Sequence, residues 1–115
     1  MVNAAKHDFE IEQGATFDYL LTLKDSSDVV IDLTGYTASM QIRKTERDSK
    51  VIKELTESSG ITITALSGTL RLIISATDTT SFNFKTGVYD LKIDSGSKVT
   101  RILEGNITLD KQVTR

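Results

Sequence analysis

The chain has 115 residues, with 14 Lys and Arg against 16 Asp and Glu, so its formal net charge is -2. This length suits one domain, spanning residues 1–115, with a single modest core. The small net charge provides no field that would favour nucleic acid or a membrane surface as a partner. The chain has no cysteine and one histidine, which excludes disulfides, thiolate metal sites and a multi-histidine metal site within one chain.

Two further features concern the compartment and the edges of the fold. No apolar run approaches the length of a membrane span, and the first 14 residues contain no hydrophobic segment of signal-peptide length. The sequence therefore predicts a protein made in a cytoplasm, and kept there or assembled from there. Because the chain also lacks proline, its sheet edges and turns must depend on glycine, charge and Asx turns.

Alternating apolar and polar residues predict strands in the first half of the chain, since a strand with one buried face repeats every two residues. The segment Val51–Leu55 fits either a short helix or a strand, and its shortness favours the strand. The other strands predicted here are His7–Gln13, Thr16–Lys24 and Tyr36–Lys44, the last with Tyr36, Ala38, Met40 and Ile42 on one face.

The pattern after residue 60 predicts a hairpin and then a helical turn. Ala65–Gly68 has the length of a hairpin loop, and it separates the apolar runs Ile61–Thr64 and Thr69–Ser75. The following segment, Ala76–Phe84, predicts one turn of helix that begins at a Thr or Asp cap.

A second hairpin, Gly87–Arg115, is predicted to close the sheet. Its first strand alternates around Tyr89, Leu91 and Ile93, and its turn contains Gly96, which suits a left-handed backbone conformation. The return strand is predicted to place on one face Val99, Arg101, Leu103, Gly105, Ile107 and Leu109. About eight short strands at this spacing indicate an all-β sandwich.

The sequence offers weak candidates for a metal or catalytic site. His7 is a lone histidine near a terminus, for which solvation is the expected state. Asp25, Asp28 and Asp32 are spaced like oxygen ligands, but they lack the Gly and terminal Glu of a helix–loop–helix calcium site. Asx hydrogen bonds in turns account for them more simply than a weak Ca²⁺ site. The sequence therefore predicts no catalytic residue, no cofactor and no metal ligand.

Two other patterns suggest binding but have ordinary structural explanations. Asn106–Thr108 matches a glycosylation sequon, and without a signal peptide it is expected to be strand chemistry only. A basic cluster is interleaved with Glu46, Asp48 and Glu54, and mixed charge of this kind is typical of a solvated loop or the rim of a protein contact. The basic residues of this cluster are Arg43, Lys44, Arg47, Lys50 and Lys53.

Several short motifs in order along the chain resemble one family. They are Gln13–Phe17, Asp32–Tyr36 followed by Met40–Arg43, Tyr89–Leu91, Glu104–Thr108 and Val113–Arg115. This arrangement resembles small virion proteins of tailed bacteriophages and the N-terminal domains of upper baseplate or tail-fibre proteins. The resemblance implies an immunoglobulin-like antiparallel β-sandwich that serves as a collar, tail or baseplate adaptor, located in the virion. It implies no catalytic residues.

Two function classes follow from these observations. The first is a non-enzymatic structural protein of a phage particle, whose partners are copies of itself and neighbouring virion proteins. The second is a stand-alone carbohydrate- or ligand-binding β-sandwich, for which exposed aromatic residues would be needed; most of the seven aromatic residues fall on faces assigned to the core. An enzyme is a distant third. Self-assembly is expected to use the terminal run Gly105–Arg115 or the loop Arg43–Lys53, because unguarded edges pair with neighbours.

Overall fold

A computed structural model describes residues 5–111, which form two β-sheets packed around one hydrophobic core. Nine strands, one helix and one 3₁₀ turn at Ala65–Ser67 make up the secondary structure of these residues. The strands and the helix, in chain order, are β1 Ala5–Lys6, β2 Phe9–Glu12, β3 Phe17–Thr22, β4 Thr37–Arg43, β5 Val51–Thr56, β6 Ile61–Thr64, β7 Thr69–Ile74, α1 Ala76–Ser81, β8 Thr86–Asp94 and β9 Val99–Asp110.

The first sheet has the order β1-β9-β8-β4-β5, with β2 also paired to β9, and the second has the order β3-β7-β6. In an immunoglobulin-like sandwich, strands G, F and C share one sheet with C′ beside C, and strands B, E and D form part of the other. In chain order β3 to β9 correspond to B, C, C′, D, E, F and G. The expected all-β sandwich is confirmed, and its strand order is immunoglobulin-like.

One part of the predicted architecture is wrong, because not every strand pair is antiparallel. Both β1 and β2 run parallel to β9, with Ala5 opposite Leu103 and Phe9 opposite Ile107. The turn at Gly14 takes the chain from β2 across to β3 in the other sheet, so β2 forms no hairpin with its sequence neighbour. Instead, β1 and β2 pair with the last strand, β9. Strands so distant in sequence can pair in either direction.

The predicted alternation is confirmed along most of the strands. On β4, residues Ala38, Met40 and Ile42 are buried while their neighbours are more exposed, and β8 buries Tyr89, Leu91 and Ile93 in the same way. Residues 51–56 form a strand, as their shortness suggested. Gly96 has φ 98°, which confirms the left-handed turn conformation predicted for the second hairpin. Period-two reading therefore identified most of the core correctly.

The single face predicted for the last strand is wrong at its beginning. The β8–β9 register shifts between Leu91 and Lys92, so that Leu91 lies opposite Leu103 while Lys92 lies opposite Arg101. The extra residue is Ile102, and Ile102 and Leu103 are consecutive buried residues. A bulge of this kind reverses the faces on one side of it. Arg101 and Val99 consequently point outward, whereas Leu103, Ile107 and Leu109 face the core.

The helix occurs where a single turn was predicted, but its cap is a different residue. Ser75, the residue after β7, is the N-cap, and its hydroxyl accepts a hydrogen bond of 3.2 Å from the backbone N–H of Asp78. The predicted Thr or Asp cap is wrong because Ser75 still has extended backbone angles as the chain leaves β7. An N-cap requires such a non-helical residue with a short side-chain acceptor.

Candidate contact surface at the loop end

Three chain connections, residues 23–36, 65–68 and 95–98, meet at one end of the sandwich. This end, together with the strand residues that adjoin it such as Val99, is called here the loop end. The strand register brings them together. Thr69 pairs with both Thr22 and Thr64, so the first two connections begin or end beside each other. Asp94 pairs with Thr37 at the start of β4 and with Val99 at the start of β9, which places the third connection at the same end.

Aspartates organise the longest of these connections, as the Asx interpretation predicted. The carboxylate Oδ1 of Asp25 accepts hydrogen bonds from the backbone N–H groups of Ser27 at 2.8 Å and Val29 at 3.1 Å. Asp32 Oδ1 accepts from both the hydroxyl and the backbone N–H of Thr34, at 2.6 and 2.9 Å, and these bonds lower the pKa of Asp32. Within residues 5–111, no three His, Cys, Asp or Glu side chains are grouped as metal ligands. The carboxylates of Asp25 and Asp32 therefore stabilise the turns of this connection.

The 65–68 turn is fixed tightly against the 23–36 connection. The backbone N–H of Leu23 donates to the carbonyl of Gly68 at 2.8 Å, and that of Leu33 donates to the carbonyl of Ala65 at 3.0 Å. Gly68 has φ 62°, and a Cβ placed on it would lie 2.5 Å from Val30 Cγ1, so only glycine fits there. The two connections therefore form one well-packed unit.

Apolar side chains project from this unit into solvent. Of the six large apolar side chains that are exposed in the described part of the chain, four belong to the loop end: Leu66 at 82%, Val99 at 60%, Val29 at 57% and Val30 at 38%. From the sequence, Leu66 is part of the predicted hairpin loop Ala65–Gly68, and Val99 was predicted to share a face with the core residues of the last strand. In the sequence, exposed residues of this kind are indicated by an apolar residue inside a turn that is bounded by Asp, Ser or Gly.

A small cavity opens beside these exposed residues, between the 23–36 connection and the β8–β9 turn. Its volume is about 220 Å³. Buried and half-buried apolar side chains form its floor, the exposed residues Lys24 and Lys98 lie at its margin, and three lining residues carry hydroxyls. Its lining residues are Leu23, Lys24, Ile31, Tyr36, Ile93, Ser95, Lys98, Thr100 and Ile102. The loop end thus combines an apolar hollow, exposed apolar side chains and cationic margins.

The opposite end of the sandwich, called here the helix end, consists of the β2–β3 turn, α1 and the residues up to the start of β8. Thr79 on α1 is fully buried; its hydroxyl accepts from the N–H of Gly14 at 3.1 Å and donates to the carbonyl of Ala15 at 2.8 Å. The amide of Gln13 donates to the carbonyl of Phe82 at 2.8 Å. The side chains of Thr79 and Gln13 therefore form hydrogen bonds within the protein at this end.

The predicted basic cluster is divided between the two faces of the first sheet. Arg43 lies on the outer face, where its guanidinium donates to the carbonyl of Asp48 and to Gln41 Oε1, each at 2.8 Å. Lys53 lies opposite buried Ile42, on the inner side, and its Nζ is 2.7 Å from Asp78 Oδ2 on α1. Lys53 lowers the pKa of Asp78 by hydrogen bonding and by its charge. The cluster is therefore not a single cationic patch.

The outer face of the first sheet forms a shallow polar groove of about 570 Å³. Its charges largely compensate one another, since Arg101 lies 3.0 Å from Glu104 and 3.6 Å from Asp90. The sequon residue Asn106 is an exposed strand residue at its edge, and its backbone N–H donates to Asp8 Oδ1 at 2.9 Å. This groove offers hydrogen-bonding groups without a dominant sign of charge.

The aromatic residues belong to the core, as expected from their positions in the pattern. Four of the seven are buried and three are half-buried, the latter being Phe17, Tyr19 and Tyr36. His7 is exposed, and its ring stacks on Tyr19 at 5.5 Å between centroids. The exposed aromatic platform on which a carbohydrate-binding role would depend is not seen in residues 5–111.

The strand expected to act as a free edge is an interior strand. Strand β9 pairs with β8 on one side and with β1 and β2 on the other, up to Asp110. The expectation that Gly105–Asp110 offers an unpaired edge is wrong, because the N-terminal strands fold back onto it. The remainder of that run, residues 112–115, lies outside the described residues.

No protein-family model matches the sequence, and no curated protein is significantly similar to it. None of the helical segments in residues 5–111 is long and apolar enough to cross a membrane.

Proposed function

We propose that this protein is a non-enzymatic structural component of a tailed-phage particle, a collar, tail or baseplate adaptor, and that it binds a neighbouring virion protein through the loop end. The particle assignment rests on the resemblance of the motifs named above. The observation that supports a contact role is the concentration of Leu66, Val99, Val29 and Val30 on one end of the sandwich. The protein is made in the host cytoplasm and is incorporated into the virion.

The physical argument concerns the free energy of exposed apolar surface. Removing one large aliphatic side chain from water contributes roughly 1.5–3 kcal/mol of free energy. These four side chains are not part of the hydrophobic core. Val29, Val30 and Leu66 sit on turns held by Asp25 and Gly68, so this part of the surface is fixed before a partner arrives. A contact with a preorganised surface loses less conformational entropy on binding.

The cavity supports the proposal that the partner has a particular chemistry. Its apolar floor and its volume of about 220 Å³ suit an apolar side chain of the neighbouring protein. Lys24 and Lys98 at the margin favour an acidic residue next to that side chain, although Lys24 also lies 3.6 Å from Asp28. The proposed partner surface therefore presents an apolar residue flanked by a carboxylate.

The test is incorporation of variants into phage particles produced from the same genome, measured by immunoblot of purified particles and by electron microscopy of labelled protein. The double variant Val29→Asp and Leu66→Asp places charge on the loop end and should lower incorporation at least tenfold. Thr108→Asp, which places the same charge on an exposed strand position, should be incorporated like the wild type.

Two outcomes would contradict the proposal. One is normal incorporation of the double variant, which would remove the loop end from the contact. The other is absence of the wild-type protein from purified particles, together with specific binding on a glycan array, which would favour the carbohydrate-binding alternative. Thermal melts of each variant show whether it is still folded, which distinguishes loss of the contact from loss of the fold.

A further inference from the structure

The second sheet has a free edge that differs from the other sheet edges in the described chain. Strand β3 is six residues long and pairs in regular register with β7 alone. On the opposite side of the sandwich, β5 carries a bulge near Arg43 and an inward-pointing charge, Lys53, both of which discourage pairing with another strand. Strands β1, β2 and β6 are too short, at two to four residues, to offer a long edge.

Burial shows that the inner side of β3 is incompletely covered. Its inward residues Phe17, Tyr19 and Leu21 are only half-buried, whereas their partners across the β3–β7 ladder, Ile74, Leu72 and Leu70, are fully buried. The immunoglobulin constant-type sandwich places strand A beside B at this edge. No strand within residues 5–111 lies there, because β1 and β2 pair with β9. A further strand beside β3 would complete the burial.

The outer face of the second sheet carries the remaining exposed apolar residues, one on β3 and one on β7. Leu20 is 58% exposed and Ile73 on β7 is 37% exposed, and they are diagonal neighbours in the ladder. Arg71 lies opposite Leu20 and forms a two-point ion pair with Asp18, at 2.8 and 2.9 Å. This pair lowers the pKa of Asp18, mainly through the side-chain hydrogen bond from Arg71. Asp18 already has a partner, so the outer edge of β3 presents no unmatched charge to an incoming strand.

We propose that β3 pairs with β3 of a second copy, antiparallel and across a two-fold axis at Leu20, to join the two three-stranded sheets into one six-stranded sheet. This inference rests on the proposed function, in which the protein acts through contacts within an assembly, and it adds a contact between two copies. A two-fold contact presents the same patch on both copies, and an antiparallel strand pair has this symmetry.

The side chains of β3 suit this register. With Leu20 on the axis, Leu20 meets its own copy, and each Asp18 lies opposite Thr22 of the other copy. On the inner face, Tyr19 lies opposite Leu21 of the other copy. Like charges are therefore not placed opposite each other, and apolar residues meet apolar residues on the inner face. A register centred on Tyr19 instead places Asp18 opposite Leu20 of the second copy, which is less favourable.

The contact is expected to be weak in dilute solution and to strengthen as copies are concentrated in an assembly. A six-residue strand pair is smaller than the interface of about 1,600 Å² that typical stable complexes bury. Within a particle, neighbouring contacts hold copies close together and raise the effective concentration. Self-association should therefore depend on protein concentration.

Cross-linking tests the geometry directly, because the chain has no cysteine of its own. A Leu20→Cys variant should be joined by a short bis-maleimide at least ten times faster than a Val99→Cys variant, since opposite Cβ atoms of an antiparallel pair lie about 5 Å apart. Val99 is a matched control, being a similarly exposed apolar residue on a strand end at the loop end. Equal rates for the two variants would overturn the proposed axis.

Light scattering across a concentration series tests the energetics. The average mass of the wild-type protein and of Thr108→Glu, a variant at an exposed strand position of the other sheet, should rise with concentration. Leu20→Glu should stay monomeric, because it places two carboxylates on the axis. The expected weakening is tenfold or more in the dimer dissociation constant. A wild-type monomer at every concentration, or association of Leu20→Glu equal to the wild type, would overturn the inference.

The same variants distinguish this inference from the proposed function. If Val29→Asp with Leu66→Asp abolishes incorporation into particles while the wild type never self-associates, the loop-end contact stands and the β3 pairing is wrong. If Leu20→Glu blocks incorporation without any wild-type self-association, β3 pairs with a strand of a different protein, which also overturns pairing with a second copy. If pairing occurs but particles lack the protein, only the proposed function fails.

Discussion

The two ends of the sandwich close the same core in opposite ways. At the helix end one polar side chain, Thr79, is buried, and its hydroxyl joins α1 to the turn at Gly14 and Ala15. At the loop end, polar groups hold the backbone of the turns, and apolar side chains such as Leu66 and Val29 face solvent. An arrangement that leaves apolar surface outside a stable turn contributes little to folding, and it is the observation on which the proposed contact role rests.

The contrast also separates two uses of carboxylates. Asp25 and Asp32 at the loop end accept hydrogen bonds from nearby backbone N–H groups in their own turns. Asp78 at the helix end joins distant parts of the fold, because it binds Lys53 on the edge strand β5. Local hydrogen bonds shape a surface, whereas long-range ones connect the elements of the fold. Mutations at the two ends should therefore differ in what they damage.

The largest expected difference comes from truncating one large apolar residue at each end. Phe82→Ala should lower the free energy of unfolding by about 3–5 kcal/mol, the usual range for removing a buried aromatic side chain. Leu66→Ala should change it by less than about 0.5 kcal/mol, because that side chain is in solvent. Urea denaturation measures both values. If Leu66→Ala lowers the free energy of unfolding as much as Phe82→Ala does, the loop end is part of the folding core.

A smaller effect is expected from the buried hydroxyl of the helix end. Thr79→Val keeps the shape of the side chain but leaves the N–H of Gly14 and the carbonyl of Ala15 without this partner, at a cost of roughly 1–3 kcal/mol. Thr80→Val is the matched control, since the hydroxyl of Thr80 is exposed and bonds only to Ala76 within the same helix. Denaturation of the two variants under identical conditions checks the difference. Equal values would remove Thr79 as the residue that joins the helix to the β2–β3 turn.

The smallest effect concerns acid stability. Lys53 holds the pKa of Asp78 below its usual value of 3.8, so this carboxylate stabilises the fold fully above pH 3.8. Its contribution is lost as the pH falls from 3.8 through the lower folded-state pKa, because the unfolded chain takes up the proton first. Asp78→Asn should therefore reduce the dependence of the melting temperature on pH below about 4. Asp32→Asn, at the loop end, is the comparison for a carboxylate whose pKa is lowered by bonds within its own turn. An unchanged acid profile in Asp78→Asn would show that the Lys53 contact contributes little.

Much of this fold follows from local patterns in the sequence. Period-two alternation predicted the inward residues of β4 and β8, and Asp and Gly residues predicted the turns after β3 and within the second hairpin. These features depend on neighbours in sequence, which is why a linear reading finds them. The same reading failed at Val99 and Arg101, because one extra residue at Ile102 reverses the faces of β9 and a bulge leaves no periodic signal.

What the sequence determined by itself is every strand except β1, most of the core faces and the chemistry of the turns, since each depends on a few adjacent side chains and on backbone preferences. The tertiary structure alone decided which strands are edges. It paired β1 and β2 with β9, so the terminal strand became interior and β3 was left with a free side. It also gathered Val29 and Leu66 from two connections and Val99 from the start of β9 onto one end of the sandwich. Strand neighbours are set by long-range packing and chain crossing, and no local pattern of residues carries that information.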